Sequence, residues 1–171
     1  MKVCHIICIV LLSCSLLTAA DSTFWRGSSK ILGKSDSLSI YEKGNKAVLR
    51  GRVRITKEDM KVYSKKATIY QKEKKFTAEK NVNVKRSFKN GNNLDAKGDK
   101  LIYYDDKQLS KMYNVKSLDF FMKEKGKTIN LKSDTVTIQE HKEILDAQGN
   151  VFIVSPFEEV DKSSSIVRGN Y

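Results

Sequence analysis

Beyond Cys14 the chain has no cysteine; Cys4, Cys8 and Cys14 are the full set of 3 in 171 residues. A disulfide framework, a cysteine metal site and a cysteine nucleophile are therefore excluded from the body of the protein. Histidine is nearly as scarce. His5 lies in the same N-terminal segment, and His141 sits in the polar run QEHKE, where a lone imidazole reads as solvated. Proline occurs once, at Pro156, so little obstructs long strands. No helical period survives beyond the N-terminal apolar run. No Ser-His-Asp grouping, metal-ligand cluster or phosphate loop is visible, which points away from an enzyme and implies no cofactor.

What the chain does have is lysine. Lys and Arg total 32 against 20 Asp and Glu, a formal net charge of +12. Such a surface favours anionic partners: phosphorylated lipids, acidic polysaccharides or nucleic acid. It equally serves plain solubility, because the acids are scattered among the lysines rather than excluded from one face. Hydrophobic content of 40% is enough for one domain with a real core.

The N-terminus opens with Lys2, runs apolar from Val3 to Leu17 and closes on Thr18-Ala19-Ala20, the order of a secretory signal peptide. The run is short for a membrane span, which needs about 20 residues. Cleavage near Asp21 removes Lys2 and takes the charge from +12 to +11. Two other readings stay open: LLSC, Leu11 to Cys14, as a loose lipobox that makes Cys14 a lipidated N-terminus, and an uncleaved anchor. Since nucleic-acid binding conflicts with export and no recognised module appears, nucleic acid is not an expected partner. The expected division is a signal peptide over 1–20, one β domain over 21–155, and a tail or edge strand over 156–171.

Apolar pairs two apart recur along the chain at Leu38/Ile40, Ala67/Ile69, Leu101/Tyr103 and Val136/Ile138. Fourteen or fifteen residues beyond the first member of each pair comes a valine after a short polar or small lead: Val53, Val82, Val115 and Val151. Before the pairs stand Ile31/Gly33, Met60/Val62, Leu94/Ala96 and Ile129/Leu131, then a small residue (Ser35, Ser64, Gly98, Ser133), then Asp36, Lys65, Asp99 or Asp134. The repeated unit is thus φ-x-φ-x-[SG]-D-x-φ-x-φ (φ apolar), a polar turn, and a return strand ending in V-x-φ. Apolar parity changes across the small residue and Asp, so the strand must be bulged or bent there if both pairs are to share a face. The small residue tolerates the crowded bend and Asp can bind nearby amides. Asp36, Asp99 and Asp134 accordingly read as corner residues, since catalytic carboxylates do not normally recur once per structural repeat.

Four such hairpins must bury their apolar faces against each other, in a closed barrel or in a folded-over antiparallel stack with free edge strands. In the stack, the inward set comprises Ile31, Leu38, Ile40, Leu49, Val53 and Ile55 from the first copy, and Ala67, Ile69, Phe76, Val82 and Val84 from the second. Leu101, Tyr103, Leu109 and Val115 come from the third, and Val136, Ile138, Leu145, Val151 and Ile153 from the fourth. Such a list describes a packed core as well as a groove. Phe152 and Val154 are apolar on the opposite face too, marking the last copy for a second apolar contact.

The stretches SDSLSIYEKGNKAVLRGRVRIT and LKSDTVTIQEHKEILDAQGNVFIVS, with LDAKGDKLIYYDDKQ between them, resemble the family of the periplasmic lipopolysaccharide-transport protein A, also called organic-solvent-tolerance (OstA) N-terminal-like. The likeness covers roughly Ile31 to Ser155. Departures are Lys65 in place of the usual Asp, a longer SFKNGNN segment, and a weak match after Pro156. The resemblance implies an all-β fold, an antiparallel β-jelly roll built as a clamshell of stacked hairpins with open edge strands. It implies a groove that binds lipid A acyl chains between the sheets. It also implies passage of lipopolysaccharide from inner to outer membrane, inner- and outer-membrane transport components as partners, and end-to-end joining of protomers through edge strands. The groove would be lined by the inward set other than Ile31, Leu49, Ala67, Leu109 and Leu145. Arg50, Arg52 and Arg54 would stand near its mouth, as phosphate contacts or as a solvated strand face. The rival reading is an exported basic β-sheet adhesin or scaffold with a packed core that binds anionic glycans.

Overall fold

Nearly every segment that alternates apolar and polar residues is a strand in the computed structural model, which describes residues 20–24, 30–155 and 166–170. Residues 1–19, which hold all but Ala20 of the expected signal peptide and include Cys14, lie outside the described residues, as does Pro156. The strands are β1 (Ala20–Phe24), β2 (Ile31–Ser35), β3 (Ser37–Tyr41), β4 (Lys46–Lys57), β5 (Met60–Tyr70), β6 (Lys75–Ser87), β7 (Asn93–Tyr104) and β8 (Leu109–Met122). They continue with β9 (Lys127–Gln139), β10 (Ile144–Gln148), β11 (Phe152–Val154) and β12 (Ile166–Asn170). All pairings are antiparallel, in the order β1-β2-β4-β5-β6-β7-β8-β9-β10-β12, with β3 on β4 and β11 on β9. Among the described residues the end strands β1 and β12 do not pair with each other, so this is one open sheet rather than a barrel.

The sheet folds over because its strands are bulged in line. Register shifts fall between Arg50 and Val53, Tyr63 and Lys66, Glu79 and Val82, Lys97 and Lys100, and Val115 and Leu118. They lie beside the points where apolar parity changes along β5 (Met60 and Val62, then Ala67 and Ile69) and β7 (Leu94 and Ala96, then Leu101 and Tyr103), and the irregularity returns the next apolar pair to the same side. Thus Met60, Val62, Ala67 and Ile69 are all buried along β5. One layer then holds the halves at 31–35, 53–57, 60–64, 82–87, 93–98, 115–122, 127–133 and 152–154. The other holds 37–41, 46–50, 66–70, 75–79, 100–104, 109–113, 135–139 and 144–148.

Each corner is pinned by the residues of the repeat. The buried hydroxyls of Ser35, Ser64 and Ser133 donate to the carbonyls of Ser37 (2.9 Å), Lys66 (3.0 Å) and Thr135 (3.1 Å), bridging the bulge. In the third copy Gly98 takes this place, where a Cβ would lie 2.9 Å from the Tyr113 carbonyl oxygen. The following Asp reaches across to the return strand. Asp36 accepts from the Arg52 backbone N–H at 3.0 Å and from its Nε at 2.9 Å, and Asp134 from Asn150 Nδ2 at 2.9 Å. Asp99 accepts from Asn114 and from Lys116 Nζ at 2.6 Å. The return strand enters the left-handed region at Gly51 (φ +95°), Asn81, Asn114 and the Gly149-Asn150 pair, residue types that adopt it most cheaply. With Lys65 the second copy lacks the carboxylate, and Ser64 is what bridges that bulge.

Of the expected inward set, Ile31, Leu49, Val53, Ile55, Ala67, Ile69, Phe76, Val82, Val84, Leu101, Tyr103, Val115 and Val136 are buried. Leu38, Ile138, Leu145, Val151 and Ile153 are half-buried at the two ends of the sheet and pack against that core. One expectation is qualified and one corrected. Ile40 lies on the inward face, in register with buried Ala47, yet is 62% exposed, because β3 is the end strand of its layer and lacks cover from the facing one. Leu109 points outward: it pairs with Tyr104, whereas its neighbours Ser110 and Met112 take the inward places. Met60, Val62, Leu94, Met112, Leu118, Phe120 and Leu131 are among the other residues of the core. Each large apolar side chain so buried contributes roughly 1.5–3 kcal/mol.

Candidate functional site

Among the described residues the interior between the layers is mostly apolar and tightly packed. A slit within it has a volume of about 20 Å³, lined by Met60, Val84, Arg86, Leu94, Ala96 and Leu118 from one layer and Leu101, Ser110, Met112, Val136 and Ile138 from the other. That is room for about one water molecule. The line of bulges joins the two layers on one side, and the mouth lies opposite, where the hairpin turns of the two layers meet.

Two ion pairs cross the mouth. Lys57, the last residue of β4, places Nζ 3.0 Å from Asp105 Oδ1 in the turn after β7, and both side chains are nearly excluded from solvent. Arg86 of β6 lies 2.5 Å from Glu140 of the turn after β9, with side chains 15% and 13% exposed. That contact is close, but its angle leaves Glu140 Oε1 without a well-directed hydrogen bond. On its own layer Arg86 also pairs with Asp59 through Nε at 3.0 Å. Tyr103 stands between the pairs. Its hydroxyl is 3.4 Å from Asp105, and its ring lies 5.5 Å beneath Lys57 Nζ and stacks on Phe76 with centroids 5.3 Å apart.

Charge is held in this rim against the cost of burial. Desolvation acts to discharge Lys57, but the Asp105 contact and Tyr103 more than offset it, so the ammonium is held above its usual range. Arg86 behaves likewise: burial opposes the guanidinium, and Glu140 and then Asp59 outweigh it. Burial, reinforced by the Glu140 charge, raises the Tyr103 phenol to about 12, so it remains a neutral donor.

The arginines expected near the mouth are elsewhere. Arg50 is exposed beside the bulge, paired with Ser37 and Lys66, Arg52 is at the same corner, bound to Asp36 with its side chain 85% exposed, and Arg54 lies over Tyr63 on the outer face. Lys57 and Arg86 went unnoticed as charges at strand ends. A signal for them existed: they extend the inward registers Val53-x-Ile55-x-Lys57 and Val82-x-Val84-x-Arg86 by one step. His141 is exposed beside Gln108 and Gln139 at an outer concavity of about 520 Å³. Another outer concavity, of about 450 Å³, carries Lys61, Lys85, Asp95 and Asp119, a charged lining unsuited to an acyl chain. Among the described residues no group of His, Cys, Asp and Glu could hold a metal ion.

Residues 34–135 match the family described as LptA/(LptD N-terminal domain) LPS transport protein. Among solved structures, the fold is similar to that of LptH, the LptA-homologous periplasmic component of the lipopolysaccharide transport device from Pseudomonas aeruginosa. The TM-score is 0.60 at 14% identity, over 82% of this chain and 94% of that one. No curated protein matches the chain at a significant level.

Proposed function

The chain belongs to the LptA/(LptD N-terminal domain) family of LPS transport proteins, and from that premise we propose that it is a periplasmic bridge component. It takes the acyl chains of lipopolysaccharide between its two layers and passes the lipid from the inner to the outer membrane. The observation that carries this reading is the bulge-hinged clamshell, apolar inside from both layers and open at both sheet edges. An acyl chain of about a dozen methylenes, at roughly 0.8 kcal/mol per CH2, carries about 10 kcal/mol of aversion to water, so a carrier must shield it. The residues that would shield it first are those on the inward face with incomplete cover: Leu38 and Ile40 at one end, and Ile138, Leu145, Val151 and Ile153 at the other. The free end strands would accept neighbouring transport components, or a second copy of this chain, by strand addition, continuing the cleft from one molecule to the next. No step in this reading requires catalysis.

The closed interior favours one competing view, that of an exported scaffold with a packed core whose basic surface binds anionic glycans. Photo-crosslinking residues at Ile40, Val84 and Ile138, with Arg52 as the outward control, separate the two. Transport predicts glycolipid adducts at the three inward positions in cells. Adducts only at Arg52, together with salt-sensitive binding to a sulfated glycan, would establish the scaffold instead.

A further inference from the structure

Lys57 and Arg86 are the cations that the fold turns inward at the mouth, and their register sets them side by side. Lys57 pairs with Met60 and Met60 pairs with Arg86, so the two stand in one row across β4, β5 and β6. Two strand spacings put their backbones about 10 Å apart. Each faces a carboxylate from a turn of the other layer, and each carboxylate belongs to the strand three places along: β4 to β7, and β6 to β9. Among the described residues these two ion pairs link the lips of the clamshell. Removing salt bridges in favour of apolar contacts is often neutral or stabilising, so stability alone does not explain burying two of them at the rim of an apolar cleft. A buried cation whose partner sits on a separable lip is also a ready anion site, because another anion can take the partner's place as the lip moves away.

The longer segment between β6 and β7 buttresses this arrangement. Phe88 stacks under the Arg86 guanidinium at 4.8 Å and meets Phe120 edge-on, and buried Asn92 accepts from the Lys123 backbone N–H at 3.0 Å. Arg86 is thus held in place from its own layer, by Phe88 and Asp59, independently of Glu140.

We propose that Lys57 and Arg86 form the headgroup site for a phosphorylated amphiphile whose phosphates displace Asp105 and Glu140, unlatching the mouth as the acyl chains enter. The proposal rests on the lipid-carrier reading and adds to it the recognition element and the gate. The exchange is between ion pairs: each cation keeps an anionic partner throughout, and the released carboxylates move with their turns into solvent. Closed without lipid and open with it, the cleft shields its apolar lining from water in both states.

The test compares binding of lipid A and of the same lipid after phosphatase treatment to the full mature chain, with inorganic phosphate as competitor. Wild type should bind the phosphorylated form about tenfold more tightly, the scale of one charge-assisted hydrogen bond. Arg86→Gln and Lys57→Met should each reduce that preference, and Arg86→Lys should restore part of it. Asp105→Asn and Glu140→Gln, which leave both cations in place and remove their competitors, should tighten binding of the phosphorylated lipid and leave the dephosphorylated one unchanged. This last result keeps the test decisive if a cation variant fails to fold. Equal binding of both lipids by wild type, with no response to any of these substitutions, would overturn the phosphate site while leaving the carrier reading intact. No binding of either lipid would overturn both. Competition by inorganic phosphate alone at millimolar concentration, with no lipid preference, would identify a free-anion site and refute the headgroup assignment.

Discussion

Replacing Asp105 by leucine removes the partner of a lysine that has almost no solvent. The Lys57 side chain is 10% exposed and that of Asp105 6%, so the 3.0 Å pair escapes the screening that makes surface ion pairs nearly worthless. Breaking one side of such a pair costs about 3–5 kcal/mol. Glu58 is 3.4 Å from Lys57 Nζ and offers a second, more exposed partner, which places the expectation near the lower figure, about 3 kcal/mol. With a urea dependence of about 2 kcal/mol per molar, the unfolding midpoint at 25 °C and pH 7 should fall by about 1.5 M. The double variant Lys57→Met/Asp105→Leu replaces both partners by apolar groups and should lie within about 1 kcal/mol of wild type. The pH dependence supplies an independent check. In wild type the raised Lys57 value means that its contribution is complete below the unfolded value near 10.4 and is lost only as pH rises through the elevated folded one. In Asp105→Leu burial acts with less opposition and lowers the folded value. The unfolded chain then binds more protons, and the variant should gain stability from pH 7 to pH 10 while wild type does not. A midpoint within about 0.3 M of wild type, with no slope in pH, would refute the buried-latch account.

Phe76→Ala removes a ring that is wholly buried against Tyr103 and should cost about 3–5 kcal/mol in the same assay, with little change in far-ultraviolet dichroism. Gly51→Ala places a Cβ at φ +95° and 2.2 Å from Asp36 Oδ2, so it should cost about 2 kcal/mol and free the Arg52 backbone amide, visible as faster hydrogen exchange at that residue. Asp36, held down first by the Arg52 backbone N–H, and Asp99, held down by Lys116 and Asn114, both have folded values below their usual one. Their contribution is present above about pH 4 and lost as pH falls through the folded values, so thermal stability should decline below pH 4, and less steeply in Asp36→Asn/Asp99→Asn.

Much of this fold can be read from residue spacing. Apolar alternation located the strands, and the parity change at Ser35-Asp36, Ser64-Lys65, Gly98-Asp99 and Ser133-Asp134 located the bulges, because a strand has no other way to return two out-of-phase pairs to one face. The corner role of Asp36, Asp99 and Asp134 followed from recurrence, and the structure gives each its acceptor geometry. The Leu109 misplacement shows the limit of the same reasoning. A turn of uncertain length shifts the phase of the strand that follows, and Ser110 and Met112 hold the inward places instead.

What the sequence determined by itself is local: period-2 strands, their breaks, and the residues that pin each break, all set by backbone sterics and hydrogen bonding within one repeat. Tertiary structure alone decided what faces what. The twist that brings β4 against β7 and β6 against β9 turned Lys57 and Arg86 from ordinary strand-end charges into buried cations paired across a mouth. The same twist left Ile40, with the same apolar character as its buried neighbours, open to solvent. Pairings across separate layers depend on how far the sheet coils between them, and that angle accumulates over every strand rather than residing in any one of them.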